Sequence, residues 1–338
     1  MAVRNLHIET GDFMKILVIF TGGTIGSAVS DGWISPDDKM KYLLIKKYRK
    51  ITGDDTEFDT INPYTILSEN LSAENINSLI KCVGENINKY DGIIVTHGTD
   101  TLQYTAAALS YAFGCNVAPV VLVSSNYPLN DARANGVDNF IGAVEFIKSQ
   151  SGRGVFVSYK NKNESTKIHF ASRIAAHTES FDEIYSIDNQ PFAFYDEKII
   201  LNPDFKYSER GKAVADAHFC EYPQILSVVA MPGDSFCYDL SEYKAVILRP
   251  YHSGTLNTES KTFADFCKKA KENDIPVFIV NVHGGTTYES SKLYDDLGIT
   301  VLPMCSFISV YIKTWLAISL EKNIKEFVCT PVVNEFIN

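Results

Sequence analysis

Hydroxyls and a carboxylate gather directly after two short apolar runs. The run at 15–20 (KILVIF) ends in Thr21-Gly22-Gly23-Thr24-Ile25-Gly26-Ser27, and the run at 92–96 (GIIVT) ends in His97-Gly98-Thr99-Asp100-Thr101. Glycines in such turns permit positive φ and close backbone approach, so a ligand can lie against exposed N–H groups. The first segment lacks both the Gly-Lys-Ser/Thr ending of a phosphate loop and the GxGxxG spacing of a dinucleotide site. What it offers is a pair of threonine hydroxyls at the end of a strand. In the second segment, Thr99 and Asp100 read as the start of a helix, where both residue types cap well. A helix N-terminus also presents unpaired N–H groups that suit a carboxylate or a developing oxyanion. Either segment alone is an ordinary strand-to-helix turn. Together they bring hydroxyls from two strands to one edge of a sheet.

The elements that must hold these residues alternate along the chain. Apolar runs at 15–20, 92–96, 118–123 and 154–158 are short and β-branched, which favours buried strands. Between them, 72–88, 100–113 and 135–149 carry helical spacing; Ser72 stands as N-cap before Ile76, Leu79, Ile80 and Val83. This pattern predicts an α/β fold with a mostly parallel sheet covered on both faces, whose ligands sit beyond the carboxyl ends of the strands. Residues 188–222 break the rhythm with prolines and charges. The alternation then resumes at 225–230, 244–249 and 276–281, with helical stretches near 258–272 and 306–320. The expected organisation has two domains. An extension at 1–13 precedes a larger N-terminal α/β domain at 14–190, and a linker at 191–222 with a short strand at 198–201 leads to a smaller C-terminal α/β domain at 223–338.

Composition narrows the function classes. The chain has 338 residues, 45% of them hydrophobic, and a net charge of −10. It can bury a sizeable core, and nucleic acid or an anionic membrane would repel it. Seven scattered cysteines, without a CxxC pair, read as reduced thiols of a cytoplasmic protein. No apolar stretch approaches the roughly 20 residues needed to span a bilayer, and residues 1–13 lack the apolar core of a signal peptide. No HExxH or comparable ligand spacing is present, so neither metal nor cofactor is expected. His252 and His283 follow strands of the second domain, where cleft-lining and turn-capping are both open readings.

The ordered pair TGGTI and HGTDT resembles the two signature segments of the bacterial-type L-asparaginase (asparaginase/glutaminase) family. Further likeness lies in Ile66-Leu67-Ser68-Glu69-Asn70, Ser124-Ser125-Asn126-Tyr127-Pro128-Leu129, Arg133-Ala134-Asn135-Gly136 and Lys244-Ala245-Val246-Ile247-Leu248-Arg249, so that the resemblance covers about residues 14–320. It implies a cofactor-free hydrolysis of the side-chain amide of asparagine or glutamine by a threonine nucleophile assisted by a base. By motif match Thr21 is that nucleophile, and Thr99 is the second catalytic threonine. Asp100 is the carboxylate that orients a lysine and meets the substrate ammonium. Ser68 binds the substrate carboxylate, with Glu69 beside it where the family often has Gln or Ser. Backbone N–H groups around Gly98 and Thr99 form the oxyanion site. The resemblance also implies a homodimer or homotetramer.

Two positions depart from the family. Trp33 stands where the family has a tyrosine that helps activate the first threonine, and an indole N–H can donate but cannot act as a base. Ala175 stands at the catalytic lysine. Lys167, Arg173 and His177 are the nearby candidates to fill that role; arginine stays charged, whereas histidine titrates near neutrality, which favours His177. An amidohydrolase is therefore weighed against a catalytically silent relative that binds aspartate or asparagine as a sensor, and against an amidase of altered specificity. A tRNA-dependent amidotransferase subunit is set aside, on the expectation that such a protein carries an additional N-terminal domain.

Overall fold

The computed structural model describes residues 14–337 except 31–32, 37, 178–180, 209–210 and 283–287; within 27–41 only the backbone course is described. Strand β1 (Lys15–Phe20) leads through a glycine turn into the antiparallel pair β2 (Ser27–Ser30) and β3 (Trp33–Pro36). Helix α1 (Asp38–Thr52) and strand β4 (Glu57–Ile61) follow, then α2 (Ala73–Asn86), β5 (Gly92–Thr96), α3 (Leu102–Phe113), β6 (Val120–Val123) and α4 (Gly136–Ser149). The large sheet is completed by β7 (Val155–Lys160), β8 (Thr166–Phe170), β9 (Ala193–Asp196) and β10 (Lys198–Leu201). Its spatial order is β10-β9-β8-β7-β6-β5-β1-β4. The five strands from β7 to β4 run parallel, and β7 to β10 are antiparallel neighbours.

Both faces of this sheet are covered, and the central strands show why they are apolar throughout. Along β1, Ile16, Val18 and Phe20 enter one core cluster while Leu17 and Ile19 enter another on the opposite face. Side chains alternate across a strand, so a strand buried on both faces has no polar side to show. Helix α2 starts at a capping box in which Ser72 and Asn75 bond each other's backbone.

The second sheet is parallel, in the order β11 (Ile225–Val229), β12 (Ala245–Arg249), β13 (Val277–Ile279) and β14 (Ile299–Val301). Helix α5 (Lys261–Glu272) covers one face, capped by Ser260. The other face meets α6 (Phe307–Ser319), which also packs on α3 of the first unit: Tyr111 and Ser309 share a hydroxyl hydrogen bond of 2.7 Å. A short α7 (Ile324–Cys329) precedes the C-terminal segment. Among the described residues no helix is long and apolar enough to cross a membrane.

Two expectations shift. The segment expected to open the linker instead supplies the hairpin β9–β10, which extends the large sheet. Strand β10 falls where the short strand at 198–201 is expected, whereas β9 is hidden in the sequence: at the sheet edge only its Ala193 is buried, and Glu197 turns the chain at φ 58°. Thr99 and Asp100 do not begin a helix. Helix α3 starts at Leu102 with Thr101 at the N-cap position and without a side-chain cap, so Thr99 and Asp100 occupy a turn ahead of it.

Candidate active site

Strand β1 delivers Thr21 to the carboxyl edge of the large sheet, where the side chain is buried and Oγ1 donates to the Thr96 carbonyl at the end of the neighbouring β5, 2.6 Å away. The turn after it is clamped to the chain ahead of Ser68: Ile66 N–H donates to Thr21 O (3.1 Å) and Gly23 N–H to Ile66 O (2.9 Å). Gly22 and Gly23 take φ of 106° and 73°. A Cβ on Gly22 would lie 2.2 Å from Ile66 O, and one on Gly23 would lie 2.3 Å from Gly98 N. Only glycine fits where three backbones touch.

The second loop packs into the same corner. A Cβ at Gly98 would meet Ser68 Oγ at 2.4 Å, so the Ser68 hydroxyl lies directly over this turn. Ser68, itself buried, donates to Asp100 Oδ2 (3.2 Å), and Thr101 Oγ1 donates back to Ser68 O (2.9 Å). Asp100 and Glu69 are exposed, and Thr99 is half-buried. The N–H groups of Thr99 and Asp100 bond no acceptor among the described residues. They are available to an anion or a polarised carbonyl.

His97 has a supporting part. Its Nδ1 meets Gly98 O at 2.9 Å and its Nε2 meets Thr105 Oγ1 at 2.9 Å. A carbonyl accepts only, so Nδ1 carries the proton and Nε2 accepts from Thr105. Burial lowers its pKa to about 4, which keeps the ring neutral near pH 7. Both nitrogens are engaged in holding the turn.

The three candidates for the missing lysine separate clearly. Arg173 is fully buried and bonds Asn334 O (2.6 Å), Lys206 O (2.8 Å) and Phe336 O (3.1 Å), fastening the C-terminal segment. Lys167 on β8 pairs with Glu164 at 2.8 Å. His177 alone of the three reaches the turn after β5, with Nε2 3.0 Å from Thr99 O. By the same acceptor argument Nε2 carries the proton, and in the neutral ring Nδ1 keeps a lone pair. Ala175, expected at the family's lysine position, is held by its N–H to Tyr185 O (2.9 Å) next to the Ile174–Ser186 bridge.

Other expected residues lie elsewhere. His252 is exposed on a turn after β12; His283 and the Trp33 side chain lie outside the described residues. Asn126 and Asn135 exchange backbone-to-side-chain hydrogen bonds of 3.0 and 3.1 Å, so these two likeness segments shape the loop after β6. Tyr64, by contrast, carries no motif and stands four residues before Ser68. Its ring packs on the core beneath β1, and its hydroxyl is shielded from solvent beside Thr21. A phenol in the connection that also carries Ser68 is the only sequence signal that points to it.

Known proteins resemble this chain in sequence and in fold. The family model described as Asparaginase, N-terminal, matches residues 15–206. A component of the glutamyl-tRNA(Gln) amidotransferase of Methanobrevibacter smithii is 28% identical over 237 residues, 68% of this chain, and the match spans about half (53%) of that relative's length. An L-asparaginase of Thermococcus kodakarensis is 25% identical over 298 residues, covering 85% of this chain and 87% of the relative. The solved structure of the thermostable L-asparaginase from that organism superimposes with a TM-score of 0.78 at 21% identity, over 96% of this chain and all (100%) of that one, which is a likeness of fold.

Proposed function

The chain belongs to the asparaginase family, and from that premise we propose that it hydrolyses the side-chain amide of a small amino acid such as L-asparagine, with Thr21 as nucleophile. The observation that carries this reading is the corner in which Thr21 lies buried against Thr96 while Gly98 and the Ser68–Asp100 pair close over the same turn. In the proposed reaction Thr21 Oγ1 bonds to the amide carbon and gives its proton to a base. The N–H groups of Thr99 and Asp100, which bond no acceptor among the described residues, stabilise the oxyanion. The C–N bond then breaks and the amine leaves as ammonia, carrying the proton the base had taken. Water hydrolyses the resulting ester and restores the Thr21 hydroxyl. Asp100 receives the substrate ammonium, and Ser68 and Glu69 border the same site. His177 is the candidate base, through the Nδ1 lone pair left by its bond to Thr99 O. Homo-oligomeric assembly and a cytoplasmic location belong to the same proposal.

One observation favours a second reading. The Thr21 proton points at a backbone carbonyl, which cannot take it up; the expected replacement of the family lysine by Ala175 fits the same reading. A protein arrested in this state would bind the amino acid without turnover. Ammonia release from L-asparagine and L-glutamine, measured beside calorimetric binding of L-aspartate, separates the two. Turnover of either amide supports the hydrolase. Aspartate binding with no ammonia from either supports the sensor.

A further inference from the structure

The connection from β4 to Ser68 brings a phenol to the proposed nucleophile. Tyr64 lies in this connection, and its ring packs against the core cluster that contains Leu17 and Ile19 of β1. Two residues later, Ile66 N–H is bonded to the carbonyl of Thr21 and Ile66 O accepts from Gly23. The backbone that carries the phenol is thus tied to the residue that carries the hydroxyl, and the two cannot drift apart independently. Tyr64 Oη is out of contact with solvent and has no hydrogen-bond partner among the described residues.

An unpaired buried hydroxyl costs stability, and a phenylalanine would fill the same space without that cost. Burial drives the phenol pKa well above its ordinary range, while the neighbouring Thr21 hydroxyl acts against that rise. The first effect fixes the proton on Tyr64, so the group is a donor and not a base. The second marks Thr21 as its polar neighbour. Thr21 Oγ1 has already committed its own proton to Thr96 O, and what it offers Tyr64 is its lone pairs.

We propose that Tyr64 is a positioning residue for Thr21, its phenolic O–H closing onto Oγ1 as the threonine gives up its proton. The proposal rests on the amidohydrolase reading above. A hydrogen bond to Oγ1 steers one lone pair toward the substrate carbon and stabilises negative charge on this oxygen. That charge develops as the proton leaves before attack, and again when Oγ1 departs from the ester during hydrolysis. No proton is transferred to or from Tyr64, so the proton balance remains between Thr21, the base and the leaving amine.

Tyr64→Phe keeps the ring in the core and removes only the donor. The expected result is a kcat lowered about 10- to 100-fold, as for loss of a hydrogen bond to a charged atom, with KM within about twofold and the thermal midpoint not lowered. Labelling by the electrophilic amino-acid analogue 6-diazo-5-oxo-L-norleucine, followed by intact mass, reports Thr21 reactivity without a full turnover. It should slow in parallel in Tyr64→Phe and be absent in Thr21→Ala. Wild-type kcat and labelling rate in Tyr64→Phe overturn the role of Tyr64 and leave the amidohydrolase reading standing. A wild-type protein that neither releases ammonia nor takes up label overturns the amidohydrolase reading, and this inference with it.

Discussion

As the proposed nucleophile, Thr21 faces opposing demands: it must be buried enough to be oriented and accessible enough to react. The structure meets the first through the 2.6 Å bond to Thr96 O, and the second falls to the groups that gather at the turn. His177, the proposed base, is one of them. It reaches the site through its bond to Thr99 O, an arrangement that the sequence points to only through the family likeness. If it is the base, His177→Gln keeps a donor toward Thr99 O while removing the titratable ring, and kcat should fall by about 100- to 10,000-fold. Steady-state ammonia assays check this; activity within twofold of wild type would remove His177 from the mechanism. Thr21, Thr99 and Asp100 are legible in the sequence because their types recur in two motifs directly after apolar runs. Tyr64 is not, since its role depends on a tertiary approach between segments some forty residues apart.

At the scale of elements, the site is made by turns and not by helices. The expected helix start at Thr99 gives way to an open turn with α3 beginning at Leu102. The Thr99 and Asp100 N–H groups stay outside the helix ladder, as they would in the first turn of a helix. Sequence patterns locate strand ends well because buried parallel strands are uniformly apolar. They locate helix starts less well, because Thr and Asp serve both caps and turns. Edge strands are the weakest case, as β9 shows. The glycine turn is the element on which the corner depends. Gly23→Ala places a Cβ 2.3 Å from Gly98 N at φ 73°, so the two turns must separate. The expected cost is about 1–3 kcal/mol from the backbone strain, read from the urea midpoint. Activity should fall by about 100-fold from misplacement of Thr21. An unperturbed midpoint with full activity would show that the two turns do not need their contact.

Across the whole molecule, the C-terminal segment ties the units together. Lys313 on α6 and Glu335 form a fully buried ion pair, and Glu335 also accepts from the N–H groups of Val332 and Val333. Arg173 and Ser172, just upstream of His177, bond the carbonyls of Asn334 and Val333. The tail therefore braces the strand end that leads to the site. Burial pulls the Lys313 pKa down and Glu335 opposes that shift, as expected for a pair that survives only as a pair. Lys313→Met leaves the Glu335 carboxylate without its cation and should destabilise the fold by about 3–5 kcal/mol, measured by chemical denaturation. A loss below about 1 kcal/mol would show that the carboxylate is satisfied by backbone N–H groups alone. None of these residues forms a motif, because a buried pair leaves no periodic trace in sequence. That the chain acts as an amidohydrolase is tested most directly by ammonia release from L-asparagine, measured for the purified protein and for Thr21→Ala. Measurable turnover is expected in the wild type, with a loss of about 1,000-fold or more in a Thr21→Ala protein that remains folded. Equal ammonia release by the two proteins would contradict the assignment of Thr21 as nucleophile and the hydrolytic reaction built on it.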